Sequence, residues 1–150
     1  MDVLLDTNIL ARCIEPTHPH HQLANDAIAV LVRRGDRLCV VSQILYEYFV
    51  VCTRPQQENG GLGLSNREAI AEVKRVQSLF QLLPDSPGLY HVWLELIEKH
   101  AVMGKRAHDA RIAAALMAGQ IPAILTFNAR DFRRYPGITV LEPAHLAGIR

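Results

Sequence analysis

Four acidic residues stand where apolar chain would be expected to continue. Asp6 ends the apolar run VLL (3–5) and opens the polar triplet Asp6, Thr7, Asn8. Glu47 is the only charge in ILYEYFVVC (44–52), and its neighbours at helical spacing are Gln43, Ile44, Val50 and Val51. Asp109, in HDARIAAALMA (108–118), shares a helical face with Ile112, Ala113 and Leu116. Asp131 follows the apolar run AILTF (123–127) in the stretch FNARD. A buried, unpaired carboxylate is costly, so each needs a partner or must stay protonated. Carboxylates gathered in one cleft would repel one another, and a divalent cation reverses that penalty. Oxygen-only ligands suit Mg²⁺ or Mn²⁺. No cysteine or histidine arrangement competes for zinc.

Each acid also has a plainer explanation. Glu47 could pair with a base at a helix edge, although none stands at helical spacing. Asp109 could simply favour a helix N-terminus, worth roughly 0.3–1 kcal/mol. Asn128 as an N-cap with Asp131 three residues on is an ordinary helix start, and Asp6 could cap a turn begun by Thr7. His108 reads as a packing or hydrogen-bonding residue. HPHH (18–21) places three histidines before a helix, but no acid or cysteine is spaced to complete a metal site with them.

The surrounding pattern supplies the elements that would position these acids. Residues 3–6 read as a strand and 9–14 as one or two helical turns stopped by Pro16. An amphipathic helix follows from about His18 to Gly35. LCVV (38–41) is a second strand, and Ser42 is the expected N-cap of a helix through Thr53. PQQENGGLG (55–63) reads as a mobile surface loop. Ser65 and Glu68 form a capping box opening a helix to about Gln81. LLPD (82–85) is a short strand or turn, 87–100 and 106–118 are helices, and 123–127 and 138–141 are strands. Strands alternating with helices imply an α/β sandwich with a mostly parallel sheet, whose ligands bind beyond the strands' carboxyl ends. Asp6 would stand at one such end, with Ser42 and Asn128 just past two others.

The chain of 150 residues is 49% hydrophobic and 21% charged, which indicates one globular domain spanning residues 1–150 rather than disorder. A net charge of +1 means that any phosphate-binding surface must be local. Cys13, Cys39 and Cys52 lie in apolar surroundings without C-x-x-C spacing, as free thiols in a reducing compartment would. No apolar run approaches the ~20 residues of a membrane helix and no signal-peptide pattern is present, so a cytoplasmic protein is expected.

LLDTNIL (4–10), the lone glutamate of SQILYEYFVV (42–51), HDARIAAAL (108–116) and LTFNARDF (125–132) resemble the PIN domain in order and approximate spacing. Bacterial VapC-type toxin ribonucleases are the nearest likeness. The resemblance implies a three-layer α/β/α sandwich and a metal-dependent endoribonuclease acting on single-stranded RNA. It carries the family's acids onto Asp6, Glu47 and Asp109, with Asn8 and Thr126 orienting Asp6 and Thr7 and Ser42 supporting the site. Many relatives have an acid where this chain has Asn128, and others have it three residues later. The expectation is therefore Asp131 as an outer ligand supported by Asn128. Asp6 and Asp109 would hold the main Mg²⁺, with Glu47 and Asp131 completing that site or holding a second ion. Water activated by the metal would attack the phosphodiester, leaving 5′-phosphate and 3′-hydroxyl ends.

Two basic groups flank these acids and suit a passing RNA backbone, namely Lys105, Arg106 and Arg111 around Asp109 and Arg130, Arg133 and Arg134 around Asp131. A solvated charged face would look the same in sequence. By resemblance the partners are RNA, a small antitoxin protein and a second copy of the chain. Two other classes compete with this reading. A phosphotransferase of the haloacid dehalogenase type also begins with a strand-end aspartate, but it needs a second aspartate where this chain has Asn8. A degenerate, non-catalytic RNA-binding or interaction domain would keep the fold without the metal.

Overall fold

The computed structural model describes residues 1–148. Among these the order is β1 (Asp2–Leu5), α1 (Thr7–Cys13), α2 (His21–Arg33), β2 (Arg37–Val41), α3 (Ser42–Thr53), α4 (Asn66–Leu79) and β3 (Gln81–Leu83). There follow α5 (Leu89–Lys99), α6 (Arg106–Ala118), β4 (Ala123–Leu125), α7 (Arg130–Arg133), β5 (Thr139–Leu141) and α8 (Pro143–Leu146). The strands form one parallel sheet in the order β3-β2-β1-β4-β5. Val3, Leu4 and Leu5 of the central strand have no exposed surface, as a strand covered on both faces requires.

The topology places the crevice. The chain steps from β1 to β2 and β3 in one direction, then returns to add β4 and β5 on the other side of β1. Right-handed crossovers put α1 to α4 over one face and α5 to α7 over the other, giving a three-layer α/β/α sandwich. The reversal falls between β1 and β4, where a doubly wound sheet opens at its carboxyl edge. Leu5 is in register with Leu125, so the next residues, Asp6 and Thr126, stand side by side at that opening. Helices α3 and α6 approach it from opposite faces, and α6 lies close because its buried surface is mostly alanine (Ala110, Ala113, Ala114, Ala115, with Ile112 and Leu116). The Trp93 indole N–H donates to the Ala107 carbonyl at 2.9 Å and ties α5 to the start of α6.

Several local expectations are corrected. Ser42 is not an N-cap: extended Val41 closes β2 and caps α3 directly, which leaves Ser42 as the first helical residue with no capping bond from its side chain. Asn128 is not the N-cap of α7 either, since Ala129 holds that place. β4 ends at Leu125, where the Thr126 hydroxyl turns to Asp6 and the Phe127 N–H to Asn8, and β5 starts at Thr139. Gln81 belongs to β3 rather than to the preceding helix, although the Ser65–Glu68 capping box is present with both bonds made. Segment 55–63 is tethered rather than free. Leu62 N–H donates to the Val51 carbonyl (3.0 Å), Leu64 N–H to Cys52 (2.8 Å) and Gly63 N–H to Arg54 (2.8 Å). These bonds satisfy carbonyls that the end of α3 would otherwise leave bare. A Cβ on Gly61 would lie 2.3 Å from the Pro55 carbonyl oxygen, so only glycine allows this close return.

Candidate active site

Asp6 is buried at 7% exposure and both of its oxygens are taken. Oδ1 accepts the Thr7 backbone N–H at 2.8 Å, which makes Asp6 the N-cap of α1. Oδ2 accepts the Thr126 hydroxyl at 2.7 Å and the Asn8 amide nitrogen at 3.3 Å. The donors are oriented in turn. Thr126 Oγ1 receives the Asn128 N–H at 2.9 Å, which directs its own proton to Asp6. Asn8 Oδ1 receives the Phe127 N–H at 3.2 Å, which turns its NH₂ towards Asp6. A carboxylate interrupts the apolar run at this point because three donors, from the start of α1 and from the end of β4, converge to bind it.

Glu47 lies on α3 with its side chain held at both ends: Thr7 Oγ1 donates to Oε2 at 3.2 Å and Gln43 Nε2 to Oε1 at 2.8 Å. Asp109 sits in the first turn of α6 and Asp131 in that of α7. Asp6, Glu47, Asp109 and Asp131 together line a single cleft of about 240 Å³, with Thr7, Asn8, Asn128, Arg12 and Asn59 among the other walls. The electrostatics agree with this proximity. Burial first, then the charges of Glu47 and Asp109, raise the Asp6 carboxyl to about 6 against the lowering effect of the Thr126 and Thr7 bonds. Burial first, then Asp131 and Glu47, raise Asp109 to about 6, opposed by Arg106 and His108.

The cleft thus concentrates negative charge that its own cations do not neutralise. Arg12, the buried base in its wall, is engaged by Glu15 at 3.0 Å and by the Gly60 carbonyl at 3.0 Å. The donor set is hard oxygen, which suits Mg²⁺ or Mn²⁺. Among the described residues no three acids, histidines or cysteines converge into a ready-made cage. Mg²⁺ does not require one, since it is commonly held by one or two carboxylates and completed by water and substrate. The residues present therefore fit such an ion, with buried Asp6 and half-buried Asp109 as the pair that would hold it.

Other expected site residues separate into two groups. Thr7, Asn8, Thr126 and Asn128 are in or directly behind the cleft. Ser42 is not. It lines the apolar groove between α3 and α4 with Leu45, Phe49 and Ile70. Of the basic residues, Lys105, Arg106 and Arg130 are exposed and enter no ion pair among the described residues. Arg133 pairs with Glu142, and Arg134 donates to the His100 carbonyl at 2.7 Å. Arg111 turns away from the acids to Gln43 and Asp85. Residues 18–21 form no three-residue metal-holding group: the His18 and His20 rings lie 5.3 Å apart, but His20 stacks on Phe127 with ring centres 4.6 Å apart and His21 Nδ1 meets the Arg12 carbonyl at 2.9 Å. Sequence reasoning missed Arg12, Asn59 and Gln43. Gln43 alone left a signal, a buried amide one helical turn before the glutamate.

Comparison with known proteins agrees with this architecture. The sequence model of the PIN domain family matches residues 3–138. Ribonuclease VapC of Rickettsia bellii (strain RML369-C) is 30% identical over 102 residues, covering 65% of this chain and 70% of that protein. VapBC2 from Rickettsia felis, solved bound to a DNA fragment from its promoter, superposes with a TM-score of 0.70 at 17% identity, over 95% of this chain and 98% of that one. VapC20 of Mycobacterium tuberculosis, a sarcin-ricin loop cleaving toxin, gives a TM-score of 0.57 at 15% identity, over 81% of this chain and 86% of that one. With the family match spanning most of its length and the acids meeting at the sheet edge, the chain belongs to the PIN domain family.

Proposed function

We propose that the chain is a Mg²⁺- or Mn²⁺-dependent endoribonuclease for single-stranded RNA and the toxin of a toxin–antitoxin pair. The observation that carries this reading is the convergence of four carboxylates, from the residue after β1 and from α3, α6 and α7, on one cleft. The names of its relatives point the same way. When bound, the divalent ion would lower the pKa of water and offset charge building on the phosphate. The chain's own residues do the rest. Asp6 and Asp109 would hold the ion, and Thr126 and Asn8 keep the Asp6 oxygens aimed. Glu47 and Asp131, in the same cleft, would complete the set of oxygen ligands or accept a proton from water. Lys105, Arg106 and Arg130 offer positive charge at the surface for the RNA backbone.

Protein partners are supported by exposed apolar side chains. Tyr46, Ile70 and Leu82 border the α3–α4 groove, and Tyr90 and Leu94 stand out from α5. A small antitoxin and a second copy of the chain are the proposed occupants of such surfaces, and the cytoplasm is the proposed compartment. No helix among the described residues is long and apolar enough to cross a membrane. A second reading, a non-catalytic RNA-binding domain, draws on the lack of a preassembled metal cage and on Asn128 where many relatives carry an acid.

Incubation with single-stranded RNA separates the two. The nuclease reading predicts cleavage with Mg²⁺ or Mn²⁺, abolition by EDTA and abolition in Asp6→Asn. RNA binding without cleavage and without Mn²⁺ uptake would select the scaffold.

A further inference from the structure

A chain of side chains runs from the protein surface to Glu47. Asp85, in the turn between β3 and α5, accepts Arg111 Nη2 at 3.3 Å, and Arg111 Nη1 donates to Gln43 Oε1 at 2.6 Å. Gln43 Nε2 then donates both to Glu47 Oε1 at 2.8 Å and to the His108 carbonyl at 3.0 Å. Arginine has no acceptor, so the Gln43 oxygen must face Arg111 and its NH₂ must face Glu47. Gln43 is buried at 6% exposure and cannot exchange these partners for water. Arg111 borders the hollow formed by Leu89, Tyr90 and Trp93, and it is not among the residues lining the acid cleft.

The His108 carbonyl precedes Asp109, and Arg111 lies two residues beyond it. One amide therefore grips α6 on both sides of Asp109 while holding the Glu47 carboxylate of α3. We infer that Gln43, aimed by Arg111, is a positioning residue that fixes Glu47 relative to Asp109 and so sets how well the acids bind a divalent ion together. Arg111 acts through Gln43 and does not contact RNA. The kinetic part of this inference rests on the nuclease reading; the metal-binding part does not.

The test measures Mn²⁺ binding to the free protein by calorimetry, kcat and KM on single-stranded RNA at several salt concentrations, and thermal unfolding. The variants are Gln43→Met, Arg111→Met, Arg111→Lys, Glu47→Ala and Glu47→Ala with Arg111→Met. Groups behind metal ligands typically alter affinity or activity by about 10- to 100-fold, and losses of roughly that size are expected for Gln43→Met and Arg111→Met. They should fall on Mn²⁺ affinity and kcat, with KM and its salt slope held. Arg111→Lys should recover most of the loss, since an ammonium can still donate to Gln43 Oε1. Arg111→Met should add nothing in the Glu47→Ala background. Unchanged Mn²⁺ affinity in both Met variants would overturn the inference, as would a raised KM with a flatter salt slope. A wild-type protein that binds no Mn²⁺ would overturn it too. Failure of the wild type to cleave RNA would instead remove the nuclease reading, leaving the Mn²⁺ affinities to judge the role of Gln43.

Discussion

The Thr126 hydroxyl donates to Asp6 Oδ2 at 2.7 Å across 120 residues of sequence, and Thr126 itself has no exposed surface. Strand register creates this contact, because Leu5 and Leu125 are paired immediately before the two residues. Replacing Thr126 by valine keeps the shape and removes the donor. Hydrogen bonds to charged groups contribute about 1.5–3 kcal/mol, and the Asn128 N–H would lose its acceptor as well. Thr126→Val should lower stability in urea unfolding by about that amount, whereas Thr126→Ser should stay close to wild type. A valine variant as stable as wild type would contradict the assigned hydrogen bonds.

The raised carboxyls make a signed prediction for pH. Asp6 and Asp109 titrate near 6 in the folded chain but near 3.8 when unfolded. Between those values the native state binds more protons, so stability falls as pH rises. Without metal, the melting temperature should decline from about pH 4 to 6.5 as far as these groups control it, then level off. For buried Asp6 the effect reaches about 3 kcal/mol, while for half-buried Asp109 solvent screening reduces it. Asp109→Asn should accordingly stabilise the metal-free protein at pH 7.5 by about 1 kcal/mol and flatten the pH profile. Excess Mn²⁺ should raise the wild-type melting temperature at pH 7.5 and have little effect on that variant. Melting curves across pH, with and without Mn²⁺, check both statements.

RNA contacts should divide along the observed ion pairs. Arg106 and Arg130 are exposed and unpaired among the described residues, whereas Arg133 already faces Glu142. Arg106→Gln and Arg130→Gln should each raise KM and reduce the logarithmic salt slope by roughly 0.7, the value for one phosphate on a single strand. Arg133→Gln should do neither. Slopes equal to that of wild type in all three variants would assign the basic face to bulk solvent rather than to RNA.

The sequence made some of this site readable and hid the rest for identifiable reasons. Asp6, Glu47 and Asp109 were conspicuous because each interrupts an apolar pattern, and such a break is visible along the chain itself. That Arg111 would turn to Gln43 and Asp85 was not visible, since a long side chain between two faces chooses its partner only once α3 and α6 are packed. Ser42 misled because a good capping residue lay at the strand–helix junction, but extended Val41 made the cap first. Segment 55–63 has the composition of a free loop. Its restraint comes from carbonyls at the end of α3 and from Arg12, neither of which belongs to the segment.

That restraint also predicts a phenotype. A methyl group at position 61 would collide with the backbone oxygens of Pro55 and Arg54, at 2.3 and 2.5 Å. Gly61→Ala should displace the turn that brings Asn59 to the cleft and anchors Arg12, at a stability loss of about 1–3 kcal/mol. Proteolysis within 55–63 should accelerate in the variant, and an unchanged cleavage rate would show that the tether is weaker than its bonds indicate.

The most direct test of the central claim is end-group analysis of single-stranded RNA cut by the protein in Mn²⁺, with Asp6→Asn run beside it. Water attack at the acid cleft predicts 5′-phosphate and 3′-hydroxyl ends and no cleavage by the variant. Fragments ending in 2′,3′-cyclic phosphate, or undiminished cutting by Asp6→Asn, would contradict it.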